Sequence, residues 1–396
     1  MQACVNAHCL PLTVESLVTM TMDVVVVGGG VMGLTSAWRI AQRGLKVTLV
    51  EAGQCGSGAT RAALGALWPP SPIHTGPLQS LHRQSLWGFE TFAGELRQAS
   101  GVVVDFLRQG RVELLSGAKA QADAVKEVAA AQANWPPLVP SPVMELLSGD
   151  ELRREEPEVM PWPEGALWCK LSAQVGVESL LAALQAACRQ SGVQILENTR
   201  VVKLNISEST FRGVHTLTEN ISAGRGVLTT GVWTEQFTDV AAAVPIHPVR
   251  GQALLLHPGR QVIFRIIKNG KIFLVPWPDG RILVGSTTER QAGFDNTNTA
   301  EGVNFLLTGA VATCPALATA KLEKIWSGLR PSGPHGRPII GALKHVHGLV
   351  VAGGHFKVGI GMAPLTGEII ADLVTQDRSK YDISPFLPHE SSAGKA

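Results

Sequence analysis

The first clear pattern along the chain is an unbroken apolar run, "DVVVVGGG" (Asp23 to Gly30), with no polar alternation. Such a run suits a strand buried on both faces. Helical spacing follows from Met32 to Arg43, Gly44 ends it, and "KVTLVEA" gives a second strand. These elements predict a βαβ unit at the front of the fold. Further helical stretches are expected over 78–98, 118–133 and 178–191, and "NWPPLVPSP" reads as a proline-rich connection. "VQILENTRVVKLNI", "GVHTLTE" and "GVLTTGVWT" read as strands, the last ending at Gly231. From Pro245 to Ser286 the pattern changes. "VRGQALLLH", "QVIFRIIK", "KIFLVPW" and "RILVGST" are four consecutive strands with "PDG" as a turn, which predicts a mostly antiparallel sheet. Beyond Arg330 come a strand, "GLVVAGGH", and a helix from Pro364 to Thr375. Proline suits a first helical position, and Leu365, Ile369, Ile370, Leu373 and Val374 give that helix an apolar face.

The expected fold class is α/β (α+β). A Rossmann-like βαβ domain is assembled from residues 22–105, 166–243 and 327–382. A second domain with a large antiparallel sheet takes 106–165 and 244–326. Residues 1–20 read as a disordered extension, with Met20 or Met22 as an alternative start, and 383–396 as a tail.

Composition narrows this only a little. At 396 residues the chain has room for two or three domains. A formal charge of +2 without a basic stripe argues against nucleic acid as a partner. The six cysteines form no C-x-x-C pair, which points to reduced thiols in a cytoplasmic protein and to no metal site. No transmembrane segment or signal peptide is apparent. A homo-oligomer is compatible with all of this.

Candidate chemistry starts at the first loop. Gly28, Gly30 and Gly33 make G-x-G-x-x-G between a buried strand and a helix. The first glycine permits the tight turn, the second admits a pyrophosphate, and the third lets helix and strand pack closely. Glu51 follows 18 residues past Gly33, at the end of the next strand, where a carboxylate accepts ribose hydroxyls and repels a 2′-phosphate. This fits NAD or FAD. The small-residue segment "GQCGSGATRAALGALWP" comes directly after Glu51 and suits a chain passing close to a large flat cofactor.

At this point the chain resembles the D-amino-acid-oxidase-type flavoenzymes, in particular their glycine oxidase (ThiO-like) branch, with sarcosine oxidases and amino acid dehydrogenases as relatives. The resemblance spans about Met22 to Asp377. It rests on the order of "VVVVGGGVMG", "TLVEAG", "ATRAALGAL", "LTTGVWT", "IHPVRGQ", "FLVPWPDGRILVGST", "WSGLRPSGPHGRPIIG" and "AGGHFKVGIGMAPLTGEIIADL". It implies FAD bound in an extended form. Val31, Met32, Glu51 and Ala52 would contact the adenine half, and the Val201 backbone would hold the adenine. Ala59, Thr60, Leu64, Gly65 and Ala66 would line the path from pyrophosphate to ring, with Gly231 also cofactor-binding. His355, Phe356, Lys357, Val358, Gly359, Ile360 and Gly361 would lie beside the isoalloxazine ring. No cysteine occurs after Cys314, so FAD is expected to be non-covalent.

The resemblance also implies substrate residues. Arg330, in "GLRPSG", would fork onto the substrate carboxylate. Lys357 stands where such enzymes carry a second arginine, and Phe273 where they carry a tyrosine. Lysine keeps the charge without the fork, and phenylalanine removes a donor, which together favour a larger or N-alkylated amine over glycine. Lys357 also reads as a loop-edge lysine, Phe273 as core, and Trp68 as either pocket wall or packing. His355 reads as structural, His335, His345 and His347 as surface residues, and Asp150, Glu151, Glu155 and Glu156 as a solvated acidic stretch. The expected reaction is FAD-dependent oxidation of a small amino acid or secondary amine, with O2 reduced to hydrogen peroxide. The alternatives are an amino acid or D-2-hydroxy acid dehydrogenase with a quinone or protein acceptor, and a flavin subunit of a multi-subunit complex.

Overall fold

The structure, a computed structural model, describes residues 20–162 and 164–389. The expected extension, save Met20, and the last seven residues of the expected tail lie outside the described residues.

Val24 and Val26 face one hydrophobic core and Val25 and Val27 face another, which is why the opening run has no polar alternation. This strand, Met20–Val27, lies inside an eight-stranded sheet. The main path is Val201–Ser207, Thr210–Thr216, Asn220–Leu228, Met20–Val27, Val47–Val50 and Gln194–Leu196. Leu349–Gly353 pairs in parallel with the end of Asn220–Leu228 and carries Ile339–Ala342 at its other edge. Two helices pack together over this sheet, Val31–Ala41 from the front of the chain and Gly359–Gln376 from its end. They approach so closely at Gly367 that a Cβ there would lie 2.5 Å from Thr35 Cγ2.

The second large sheet also has eight strands, in the order Lys321–Ser332, His247–His257, Ile282–Gly285, Ile272–Pro276, Ile266–Asn269, Arg111–Leu114, Ala166–Cys169 and Met144–Leu147. Only Ile266–Asn269 with Arg111–Leu114 is a parallel pair. Period-2 alternation splits its side chains between two faces. Val112, Ile267, Leu274, Val284 and Leu254 are fully buried beneath the helix Ala300–Thr313, against Leu306 and Ala310. The opposite face carries Arg111, Phe273, Gly285, Gly251, Trp326, Gly328 and Arg330, and meets the small-residue segment after Glu51. A Cβ on Gly285 would lie 2.2 Å from Leu64 Cδ1, and one on Gly328 2.3 Å from Ala62 Cβ. A three-stranded sheet, Ala66–Leu67, Ala173–Val175 and Phe106–Leu107, lies next to this contact.

Several elements differ from the sequence-based expectations. The 78–98 helix is two helices, Pro77–Trp87 and Phe89–Ser100, that meet at Gly88. The strand expected to end at Gly231 ends at Leu228, and Gly231, with φ +57°, starts a 3-10 helix, Gly231–Gln236. "QVIFRIIK" is strand only from Ile266, because the Phe264 amide donates to the Glu156 carboxylate at 2.9 Å instead of to a neighbouring strand. The same bond corrects the solvated reading of Glu156, which is fully buried and paired with Arg265 at 3.1 Å. The last long helix starts at Gly359, so Pro364 lies inside it rather than at its first position. Proline leaves one carbonyl of the helix ladder without its donor. The next amide, Leu365, donates to Ser85 Oγ at 3.3 Å.

Candidate active site

The first loop is built by close approaches that only hydrogen atoms on Cα permit. Gly28 has φ +105°, and a Cβ there would lie 2.6 Å from the Thr229 carbonyl oxygen. A Cβ on Gly33 would lie 1.8 Å from the Gly28 carbonyl oxygen, and one on Gly30 3.3 Å from Thr60 Oγ1. Thr60 Oγ1 accepts from the Val31 amide at 3.0 Å, which ties the Ala59–Ala66 segment to the first turn of the helix. The following amides, Met32 and Gly33, belong to a helix start, where no intrahelical acceptor exists. Glu51 is fixed by two backbone donors, Gly29 N at 2.6 Å to Oε2 and Gly53 N at 2.8 Å to Oε1. A carboxylate has about four acceptor sites, so two are left for hydroxyls.

The rest of the expected cofactor set borders this loop. Ala52 lies in the turn between Glu51 and Gly53, and the Thr199 amide donates to the Glu51 carbonyl at 2.8 Å, two residues before Val201 opens its strand. The Gly231 turn brings Trp233 against Gly58, where a Cβ would meet the indole at 3.3 Å. Gly65 has φ +72° and bonds Val175, and Ala66 pairs with Gln174. Leu64 fills the bare position at Gly285. These residues fit a dinucleotide: there is a cradle that side chains would fill, a free helix start above it, and an oriented carboxylate at the second strand.

The second glycine-rich loop reaches the same place from the other end of the chain. Gly359 lies 3.8 Å, measured from the position of a Cβ, from Met32 Cε of the first loop. The first intrahelical bond here is Met362 N to Val358 O at 2.9 Å, so the Gly359, Ile360 and Gly361 amides form an open helix start. Beneath it are two buried histidines. His355 Nε2 is 3.1 Å from Thr366 Oγ1, and a Cβ on Gly361 would lie 2.9 Å from His82 Nε2. Burial, and then the charge of each one's neighbour (Arg83 for His82, His82 for His355), pushes His82 down to about 4 and His355 down to about 3. The pair is therefore neutral at physiological pH.

The Phe356 amide donates to the Pro331 carbonyl at 2.7 Å, and His355 bridges to Ser332, so the 355–357 turn runs directly beside the Arg330 strand. The half-buried Arg330 donates through Nη1 to the Thr287 carbonyl at 3.0 Å and through Nη2 to Ser286 Oγ at 2.9 Å. Its guanidinium lies on Gly251, where a Cβ would be 2.1 Å from Nη2. No carboxylate forms an ion pair with it among the described residues. Burial lowers its proton affinity and the charge of Glu289 opposes this. Ser286, Thr287 and Gly251 were not singled out in the sequence. Gly251 stands in the landmark "IHPVRGQ", and a glycine in the middle of a long strand signals a close approach.

Lys357 is exposed, with Nζ 5.3 Å from the Phe356 ring centroid. Arg290, another residue not anticipated from sequence, lies over the same ring at 5.4 Å. Partial burial, then Arg330, Arg290 and Lys271, lower the proton affinity of Lys357. Deeper in, Phe273 meets Trp68 with ring centroids 4.8 Å apart, and Arg111 lies 5.4 Å from the Trp68 centroid. Among the described residues no group of three or more His, Cys, Asp or Glu could hold a metal ion, and no helix is long and apolar enough to cross a membrane.

Comparison with known proteins agrees with this geometry. The family model described as "DAO: FAD dependent oxidoreductase" matches residues 23–373. Glycine oxidase of Geobacillus kaustophilus is 30% identical over 368 residues, which cover 92% of this chain and 96% of that one. Hydrogen cyanide synthase subunit HcnC of Pseudomonas aeruginosa is 29% identical over 411 residues, covering 93% and 95%. The crystal structure of the Geobacillus kaustophilus glycine oxidase superposes with a TM-score of 0.85 at 28% identity, over 94% of this chain and 99% of that one. The chain therefore belongs to the DAO family of FAD-dependent oxidoreductases, as an amine or amino acid oxidoreductase of the glycine oxidase kind.

Proposed function

We propose that the chain oxidises the C–N bond of a small amino acid or secondary amine of the glycine, sarcosine, D-amino acid or cyclic imino acid class. Arg330 carries this reading. Its guanidinium is positioned by neutral acceptors only, on the sheet face that meets the Leu64 segment, so its charge is left for an anion from outside. Its planar fork matches a carboxylate.

When bound, FAD supplies the hydride acceptor for the carbon that bears nitrogen. The chain's own residues do the rest. The Gly28–Gly33 loop and Glu51 would hold the diphosphate and ribose, and 355–361 would contact the ring without a covalent bond. The open helix start at Gly359 would favour negative charge on a group bound beside it. Arg330 anchors the carboxylate, and the Phe273–Trp68 pair makes an apolar wall that excludes water. The amine enters unprotonated, and the imine product hydrolyses in water to an oxo acid and ammonia or an amine. The electrons end on O2 as hydrogen peroxide.

The similarity to a hydrogen cyanide synthase subunit supports a second reading, in which the same site works inside a complex and passes electrons to a different acceptor. One experiment separates these readings. The flavin is bleached anaerobically with glycine, sarcosine, D-amino acids, cyclic imino acids and D-2-hydroxy acids, and peroxide yield per turnover is then measured in air. Bleaching by an amine with stoichiometric peroxide supports the oxidase. Fast dye reduction with little peroxide supports the second reading, and bleaching by hydroxy acids alone overturns both.

A further inference from the structure

We infer that the substrate carries a second acid group, and that Arg290 and Lys357 bind it at the mouth of the site while Arg330 holds the first. This inference rests on the amine-oxidising reading above.

The observation is two like charges on one ring. Arg290 Cζ and Lys357 Nζ lie 5.4 Å and 5.3 Å from the centroid of Phe356. Phe356 adopts φ +50°, uncommon for a non-glycine residue, and its bond to Pro331 fixes it beside the Arg330 strand. A ring face attracts each cation only weakly at an exposed site, and the two cations repel one another. Neither has an acidic partner among the described residues. Glu289, adjacent in sequence to Arg290, is committed elsewhere: it accepts from Arg250, Gln252 and Thr287. Lys271, in the turn just before the Phe273 strand, adds a third positive charge felt by Lys357.

A substrate with one carboxylate would satisfy Arg330 and leave this outer pair uncompensated. A substrate with acid groups on both sides of the amine would neutralise both. Arg290 is reachable from outside, because with Arg250, Thr288, Glu289, Gln291 and Ala292 it lines an open cleft of about 580 Å³. The class is an amino or secondary-amino dicarboxylic acid.

The test uses the full FAD-loaded chain. The kcat/KM values of glycine, sarcosine and D-alanine are compared with those of iminodiacetate, D-aspartate and D-glutamate. Calorimetry compares non-oxidisable glutarate with butyrate. At least one dicarboxylate should exceed the best monocarboxylate by about tenfold, and glutarate should bind more tightly than butyrate by a similar factor. Arg290→Gln should lower kcat/KM about tenfold for the dicarboxylate and less than about threefold for monocarboxylates, and Arg290→Lys should retain most of the preference. Preference for monocarboxylates, equal binding of glutarate and butyrate, or an equal loss for both classes (the mark of long-range steering) would overturn the inference. If no amine bleaches the flavin, the parent reading falls too. If glycine or sarcosine is the best substrate, only this inference falls.

Discussion

The Arg330 guanidinium lies flat on the Cα of Gly251, so close that a methyl group there would be 2.1 Å from Nη2 and 2.2 Å from Nη1. The clashing atoms are the end of a flexible side chain, so the fold yields easily while the guanidinium moves. Gly251→Ala should therefore cost about 1 kcal/mol or less in stability. Yet it should lower kcat/KM for carboxylate substrates by up to about 100-fold, since a shift of about 1 Å at an orienting group has that effect. Wild-type kinetics in the folded variant would show that this contact does not set the guanidinium position.

Arg330→Lys keeps a positive charge but loses the two parallel donors and the bonds to Thr287 and Ser286. KM for acids should rise about tenfold or more, and Arg330→Ala should raise it by about 100-fold or more. An unchanged KM in steady-state assays would remove Arg330 from the substrate site.

The two helix-start glycines should respond differently. A Cβ on Gly33 meets backbone, the Gly28 carbonyl oxygen at 1.8 Å, whereas one on Gly30 meets Thr60 Oγ1 at 3.3 Å. Gly33→Ala should force the loop open and yield protein largely without flavin, while Gly30→Ala should retain more of it. Flavin absorbance per polypeptide after purification measures both, and full flavin content in Gly33→Ala would contradict the loop geometry.

The buried histidines make acid destabilising. In the unfolded chain both protonate near pH 6.5, whereas in the fold they resist until about 4 for His82 and about 3 for His355. The unfolded state thus binds more protons as pH falls from 6.5 toward 4, and stability is lost at up to about 1.4 kcal/mol per pH unit for each histidine. Glu156, raised to about 7 chiefly by burial, acts in the opposite sense between about 7 and 4.5. The difference between wild type and His82→Asn removes that common contribution. Urea titrations at pH 7 and pH 5 should show a shallower loss in the variant, and an equal loss in both would exclude His82 as a source.

Much of the dinucleotide end was legible because its signals are local. A buried run, three glycines at fixed spacing and an acid at the end of the next strand lie within about 30 residues, and backbone sterics dictate each of them. Boundaries that depended on distant partners were misjudged. Pro364 reads as a helix start, but the helix begins at Gly359, and the Leu365 amide beside the proline takes a partner from the distant Ser85. "QVIFR" reads as strand until Glu156, more than 100 residues earlier, takes the Phe264 amide. Glu156 itself reads as solvated because nothing local reveals Arg265.

The sequence by itself determined the α/β class and the dinucleotide loop, since each follows from short-range sterics, periodicity or spacing, and its order of motifs carried the resemblance to the family. Only the tertiary structure decided what surrounds the substrate position. Arg330, Ser286, Thr287 and Gly251 come from three neighbouring strands or the residues just past them, and Arg290 meets Lys357 only through the ring of Phe356. Strand register, set by burial of the opposite face beneath Leu306 and Ala310, brings these groups together, and no local pattern in the chain encodes that register.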